Sequence, residues 1–200
     1  MCIRDSTDSL MLDHEGNVAE ATSANIFFKD KNNELHTPIA DSFLNGIKLN
    51  ISKWQRPPQN SSPWESKAAG LYMICTLSKH QAEKDGYTDS LMLDHEGNVA
   101  EATSANIFFK DKNNELHTPI PDSFLDGITR KTVIDLAKSK NIKINERKIS
   151  PNEISNFKGC FITGTAAEIT PVGNILDNKF EVCDLIKDLS SSYEKLVGKN

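Results

Sequence analysis

No run of apolar residues in this sequence is long enough to cross a bilayer, which sets aside a helical membrane protein. No basic stripe is present either: the formal charge is −5, and nucleic acid is not an expected partner. The four cysteines show no CxxC spacing, so a zinc ribbon and a disulfide scaffold both lack their signature, and free thiols in a reducing compartment are expected. Residues 1–6, MCIRDS, have no apolar segment of the kind that leads a secreted chain. Histidine gives no ligand spacing, and no metal is expected. Together these absences imply a cytoplasmic protein without membrane or nucleic-acid partners.

What the sequence does have is one long sentence written twice. Thr88 to Ile128 reads TDSLMLDHEGNVAEATSANIFFKDKNNELHTPIPDSFLDGI, and Thr7 to Ile47 repeats it with only Ala40 for Pro121 and Asn45 for Asp126. Natural repeat arrays keep their hydrophobic pattern while other positions drift. Here even the turn residues are unchanged, which points to a recent duplication or a joining error. Residues 1–47 are therefore expected to be an out-of-context copy of 88–128, packed peripherally or competing with it, and 48–200 the working domain.

Each copy reads as a meander. Leu91-Met92-Leu93 and Ile107-Phe108-Phe109 are strand-like runs separated by the turn former His95-Glu96-Gly97-Asn98. The segment Lys48 to Trp54 alternates as a strand, and Gln55 to Pro63 is a loop rich in Pro, Asn and Ser. Apolar residues at helical spacing predict a helix from Leu71 to Lys84, ending near Gly86. Thr129 suits a helix N-cap, with Ile128 and Val133 as a hydrophobic staple, and an amphipathic helix follows. Strands are expected at 142–146, 159–163 and 169–175, and a final helix over 183–197. Strands and helices mix without a strict βαβ rhythm, which predicts a fold between α/β and α+β.

Four places can carry chemistry. Lys67 is followed by Ala68, Ala69 and Gly70, which leave room for something flat beside an amine; the ordinary alternative is a solvated lysine. Gly127-Ile128-Thr129 opens a helix, where free N–H groups and the dipole favour an anion. Arg130 and Lys131 occupy its first turn, where the dipole disfavours cations; either a bound anion offsets that or both point to solvent. Thr163-Gly164-Thr165-Ala166-Ala167 follows a buried strand with small residues that let backbone N–H groups approach an anion. Glu101 is an acid among small and apolar neighbours, either a cap or the partner of something buried.

SKAAGLY, EATSANIF, FLDGITR and TGTAAEITPVG, in that order, resemble the large domain of fold-type IV pyridoxal-phosphate enzymes, and within them the branched-chain amino-acid aminotransferases. The resemblance covers about Leu49 to Val197. It implies pyridoxal 5'-phosphate as cofactor, and transamination of leucine, isoleucine or valine with 2-oxoglutarate. By the same resemblance Lys67 is the Schiff-base lysine, Tyr72 meets the cofactor's phenolic oxygen, Glu101 faces the pyridine nitrogen and Leu125 packs on the ring. Gly127, Ile128, Thr129 and Thr165 take the phosphate, and the N–H groups of Thr165 and Ala166 receive the substrate carboxylate. A helix beginning near Lys67 would set Lys67 and Tyr72 on one side. The intact family enzyme is expected to be a homo-oligomer.

The pattern departs from the family at its start. A smaller N-terminal domain is expected there, and MCIRDS with the first copy stands in its place, so the activity of this chain is expected to be impaired. The first copy has Glu20, Leu44 and Gly46-Ile47, but Lys48 stands where Thr129 stands in the second, and no SKAAGLY precedes it. Other fold-type IV enzymes, a D-amino-acid aminotransferase or an aminodeoxychorismate lyase, are the alternative activities. A non-catalytic fragment is the alternative outside catalysis.

Overall fold

A computed structural model describes residues 45–198 and, before them, the backbone of four short strands. These are β1 (Leu10–Leu12), β2 (Val18–Ala21), β3 (Phe28–Lys29) and β4 (Leu35–His36). The chain divides into two compact units, Met1–Asp41 and Ser42–Asn200. The expectation of peripheral packing for the first copy falls outside the described residues.

In the first unit β1 and β2 form one antiparallel pair, and β3 and β4 another. The registers are Leu10↔Ala21, Met11↔Glu20 and Leu12↔Val18, then Phe28↔His36 and Lys29↔Leu35.

The second unit opens with β5 (Ile47–Gln55), so the strand expected from Lys48 begins one residue earlier, in the last residue of the repeat. Short 3-10 turns at Gln59–Ser61 and Ala69–Tyr72 lead to α1 (Met73–Lys84). Then come β6 (Asp89–Leu93), β7 (Val99–Ala102), β8 (Asn106–Lys110) and β9 (Leu116–Thr118). Helix α2 (Ile128–Ser139), β10 (Ile144–Glu146), β11 (Gly159–Gly164), β12 (Glu168–Ile175), β13 (Asn178–Lys179) and α3 (Asp184–Leu196) complete it. The second copy repeats the first copy's registers, displaced by the repeat: Leu91↔Ala102, Met92↔Glu101, Leu93↔Val99, and Phe109↔His117. Asp94 nucleates the first of these hairpin turns, its carboxylate accepting from the N–H groups of Glu96 and Asn98.

The strands join into one mixed sheet in the order β10-β9-β8-β11-β12-β5-β6-β7, with β13 beside β12. Pairs β5–β6, β5–β12 and β9–β10 are parallel and the others antiparallel, the mixed architecture expected from the sequence. Only residues 103–105 separate the edge strand β7 from β8, near the other side of the sheet, so the sheet must curl. The Ala102 N–H donates to the Ala105 carbonyl at 2.8 Å across that turn.

A period of two divides the curl's inside from its outside. Ile107, Phe109, Cys160 and Ile162 enter the core inside the curl with Leu49, Leu91 and Val172. Phe108 and Phe161 face the other way, stack at 5.0 Å between centroids, and meet Val133, Ala137, Ile186 and Leu189 of α2 and α3. Helix α1 lies on β5 and β6 through Cys75, Ser78 and Ala82, a helical spacing.

Three local readings need correction. Helix α2 starts one residue before Thr129: its N-cap is Gly127, with no side-chain cap of its own. Ile128 is 83% exposed while Val133 is fully buried, so the hydrophobic staple does not form. Arg130 does not face solvent, and the anions it meets are carboxylates of this chain. It is 1% exposed, and its guanidinium donates to Asp126, Glu146, Thr118 and the Pro119 carbonyl. The dipole's objection to a cation in the first turn is offset by two carboxylates at 2.8–2.9 Å.

Candidate active site

The path of the sheet brings distant segments to one cavity of about 240 Å³. Lys67 and Tyr72 come from the approach to α1, Glu101 from β7, and Leu125, Gly127, Ile128 and Thr129 from the start of α2. Thr163, Gly164 and Thr165 come from the end of β11, and Ser104, Ala105 and Asn106 from the turn into β8. Every cofactor or substrate contact implied by the resemblance lines this cavity except Ala166, which lies exposed in the turn between β11 and β12. A wider groove of about 600 Å³, lined by Lys48, Tyr87, Asn174 and Lys179 among others, is a shallow trough with a charged rim. It gathers no buried ionisable group, so the smaller cavity is the candidate.

Lys67 is exposed and stands just ahead of the 3-10 turn, and the helix expected to begin near it begins at Met73. Its Nζ lies 5.9 Å from the centroid of the Tyr72 ring. The space beside Gly70 is open, as the small residues there require. Tyr72 is half-buried, and burial, then the negative charge of Glu101, push its phenol up, so it remains a neutral donor near pH 7.

Glu101 is 6% exposed. Burial pushes its carboxyl up to about 8; Arg56 opposes this, Asp89 adds to it, and Lys67 opposes it. The acid thus sits at the edge of ionisation near neutral pH and is neither a surface acid nor a cap. A cationic ring nitrogen beside it would stabilise the carboxylate.

Sequence reasoning missed Arg56. It follows β5 directly, is 3% exposed, and holds Nε 3.5 Å from Glu101 Oε1. Its other contacts tie the wall together: Nε donates to the Ser123 carbonyl at 3.2 Å and Nη1 to the Leu71 carbonyl at 3.0 Å. The only local signal was an arginine between a strand and Pro57-Pro58, and nothing local shows what lies opposite it. Asn106 was also overlooked, although an asparagine inside a buried strand run is unusual enough to mark it.

The residues present fit a phosphorylated, planar cofactor on three structural grounds. The Thr163 hydroxyl is buried and has no partner among the described residues. The N–H groups of residues 128–130 precede the first helical bond, which Lys131 makes to Gly127, so they are available to an anion. The third is the donor set: an amine, a phenol and a buried carboxylate around a single cavity. A second cluster, Asp111, Glu115 and His117, has ligand atoms within 4.8 Å of one another. However, Arg147 Nε donates to His117 Nδ1, which leaves the imidazole proton on Nε2, facing Asp111. That nitrogen is a donor and not a metal ligand.

The class IV amino-transferase family model matches residues 1–50 and 47–175. The chain belongs to this family. A probable branched-chain-amino-acid aminotransferase of Rickettsia felis is 42% identical over 161 residues, covering 78% of this chain and 55% of that relative. The branched-chain aminotransferase of Thermoproteus uzoniensis, solved with norvaline, superposes with a TM-score of 0.74 at 30% identity, covering 83% of this chain and 57% of that one. An aminotransferase from Brucella abortus, solved with its co-factor PLP bound, gives 0.73 at 26% identity, covering 81% and 57%. The second unit thus has the fold-type IV architecture, and the chain spans about half the length of the curated relatives it matches. Among the described residues no helix is long and apolar enough to cross a membrane.

Proposed function

We propose that residues 48–200 form the pyridoxal-phosphate-binding part of a branched-chain amino-acid aminotransferase, and that 1–47 is a copy of 88–128 outside its working context. The observation that carries the cofactor reading is the meeting of Lys67, Tyr72, Glu101 and the open start of α2 around one cavity. Pyridoxal phosphate, when bound, supplies a carbonyl carbon that captures amines and a ring that accepts an electron pair. Lys67 Nζ is the amine that holds it and, once released, carries a proton to and from the substrate's α-carbon. Tyr72 donates to the ring's oxygen, Glu101 holds the proton at the ring nitrogen, and Leu125 covers a ring face. The N–H groups of Ile128 and Thr129, with the Thr129 and Thr165 hydroxyls, receive the phosphate. Backbone N–H groups at Thr165 and Ala166 receive the substrate carboxylate.

The substrates proposed are leucine, isoleucine or valine and 2-oxoglutarate, in the cytoplasm, with a homo-oligomer as the working form. The relatives' names and the order of the four motifs support the choice among fold-type IV activities. Adding pyridoxal phosphate to the full chain should produce a visible absorbance, and borohydride should fix the cofactor's mass on the peptide that contains Lys67. Labelling of another lysine overturns the reading.

A second reading, cofactor binding without turnover, is favoured by the exposure of Lys67, Thr165 and Ala166, which leaves the cavity's outer side open to water. Conversion of leucine and 2-oxoglutarate at an ordinary enzymatic rate would eliminate it.

A further inference from the structure

The side-chain amide of Asn106 is committed at both ends to the loop that leads into α2. Its Nδ2 donates to the Leu125 carbonyl at 2.9 Å, and its Oδ1 accepts from the Gly127 N–H at 3.1 Å. Asn106 is 5% exposed and begins β8, where it is the register partner of Thr163 on β11. The fit against the loop is close: a Cβ at Gly127 would stand 2.5 Å from Asn106 Oδ1. The N-cap N–H of α2 is therefore satisfied by a strand across the cavity and not by any residue near it in sequence.

We propose that Asn106 is the positioning residue that sets the anion cradle, and so lets the cavity select a phosphorylated ligand over its unphosphorylated form. This rests on the reading of the cavity as a pyridoxal-phosphate site. Free N–H groups discriminate in favour of an anion only when they are held aimed at it. The two-ended amide does this by fixing Leu125 and Gly127 together, and with them the direction of the Ile128 and Thr129 N–H groups. Asparagine is the side chain that offers one donor and one acceptor at this reach; aspartate accepts only, and alanine does neither. The absence of a Cβ at Gly127 is the other half of the same device.

The test compares dissociation constants of pyridoxal phosphate and of pyridoxal, which lacks the phosphate, for the full chain. Asn106→Ala should weaken pyridoxal phosphate about tenfold or more while shifting pyridoxal by no more than about twofold. Asn106→Asp is nearly isosteric, loses only the donor and adds a negative charge, so it should show the same selective loss even if the alanine variant folds poorly. Gly127→Ala should weaken pyridoxal phosphate in the wild-type background and cost less beside Asn106→Ala, because the colliding oxygen is gone. Equal losses for both ligands in variants that melt like wild type, or a Gly127→Ala cost unchanged by Asn106→Ala, would overturn the inference alone. No saturable binding of pyridoxal phosphate by the wild-type chain would overturn the cofactor reading, and this inference with it.

Discussion

Arg56 Nε stands 3.5 Å from Glu101 Oε1, with the two side chains 4% and 8% exposed. The guanidinium reaches the acid from a strand end 45 residues earlier in the chain, and the same group fastens the Leu71 and Ser123 carbonyls. Charge balance and wall geometry thus meet in one side chain.

Glu101 makes stability depend on pH in a particular direction. Its carboxyl, at about 8 in the folded chain, lies above its ordinary 4.5. Folding therefore favours the protonated form: this contribution is fully present below 4.5 and is lost as pH rises through 8. Asp89, also raised chiefly by burial, acts with the same sign. The melting temperature of the cofactor-free chain should fall between those two pH values, and Glu101→Gln should flatten most of that fall. An equal fall in the variant would place the buried charge elsewhere.

Replacing Arg56 with Met removes the nearest cation from Glu101 and unties two carbonyls. We expect a loss of about 1–3 kcal/mol from the carbonyls left without their donor, since Glu101, already raised to about 8, takes up a proton when the cation is gone. Pyridoxal-phosphate binding should weaken as well, and Arg56→Lys should restore little, since one ammonium cannot reproduce the forked contacts. Chemical denaturation and a cofactor titration measure the two effects.

Lys67→Ala should abolish borohydride-stable labelling by pyridoxal phosphate without changing the melting temperature of the cofactor-free chain by more than about a degree. Exposed substitutions of this kind cost within about 0.5 kcal/mol, and Lys67 is exposed.

Arg130→Met tests the internal role of a residue that looked from its position like an anion ligand. Its partners Asp126 and Glu146 are partly exposed and can turn to water, whereas the Thr118 hydroxyl and Pro119 carbonyl on its buried side lose a donor. A destabilisation of about 1–3 kcal/mol follows from that loss. A change in cofactor affinity without a change in stability would return Arg130 to the site.

The sheet and both hydrophobic cores described for the second unit are built from residues 47–193. A chain beginning at Ser42 should therefore fold and bind pyridoxal phosphate like the full chain, by circular dichroism and absorbance. Loss of cofactor binding would show that the first unit contributes to the site.

Motifs that act through the backbone of a few neighbouring residues could be read directly. The strand-like run Ile107-Phe108-Phe109, the turn at His95-Glu96-Gly97-Asn98 and the small residues after Lys67 each announce a local shape, and the structure has all three. Arg56 and Asn106 could not be read that way, because their meaning lies in what the curled sheet brings opposite them. Thr129 shows the limit from the other side. Its sequence context suits a cap, but the N-cap is Gly127, whose N–H donates to Asn106, and Thr129 lines the cavity from the helix's first turn.

The doubled stretch separates the two kinds of information. Both copies form the same hairpins in the same register, Met11↔Glu20 and Met92↔Glu101, Phe28↔His36 and Phe109↔His117. Turn chemistry and alternation within some twenty residues were enough to determine these. Their ends diverge around a shared Gly-Ile, which Asn45 precedes in one copy and Asp126 in the other. Gly46 takes φ +72 and leads into β5, its Cβ position filled by the Gly173 backbone, whereas Gly127 takes φ −63 and caps α2. A glycine permits either conformation at little local cost. The sequence that follows, KLNIS in one copy and TRKTV in the other, and the strand that waits across the sheet, decide which is taken. The local residues determined the hairpins; the chain that follows each copy, and the strand it meets, decided which end became a helix start facing Lys67 and Glu101.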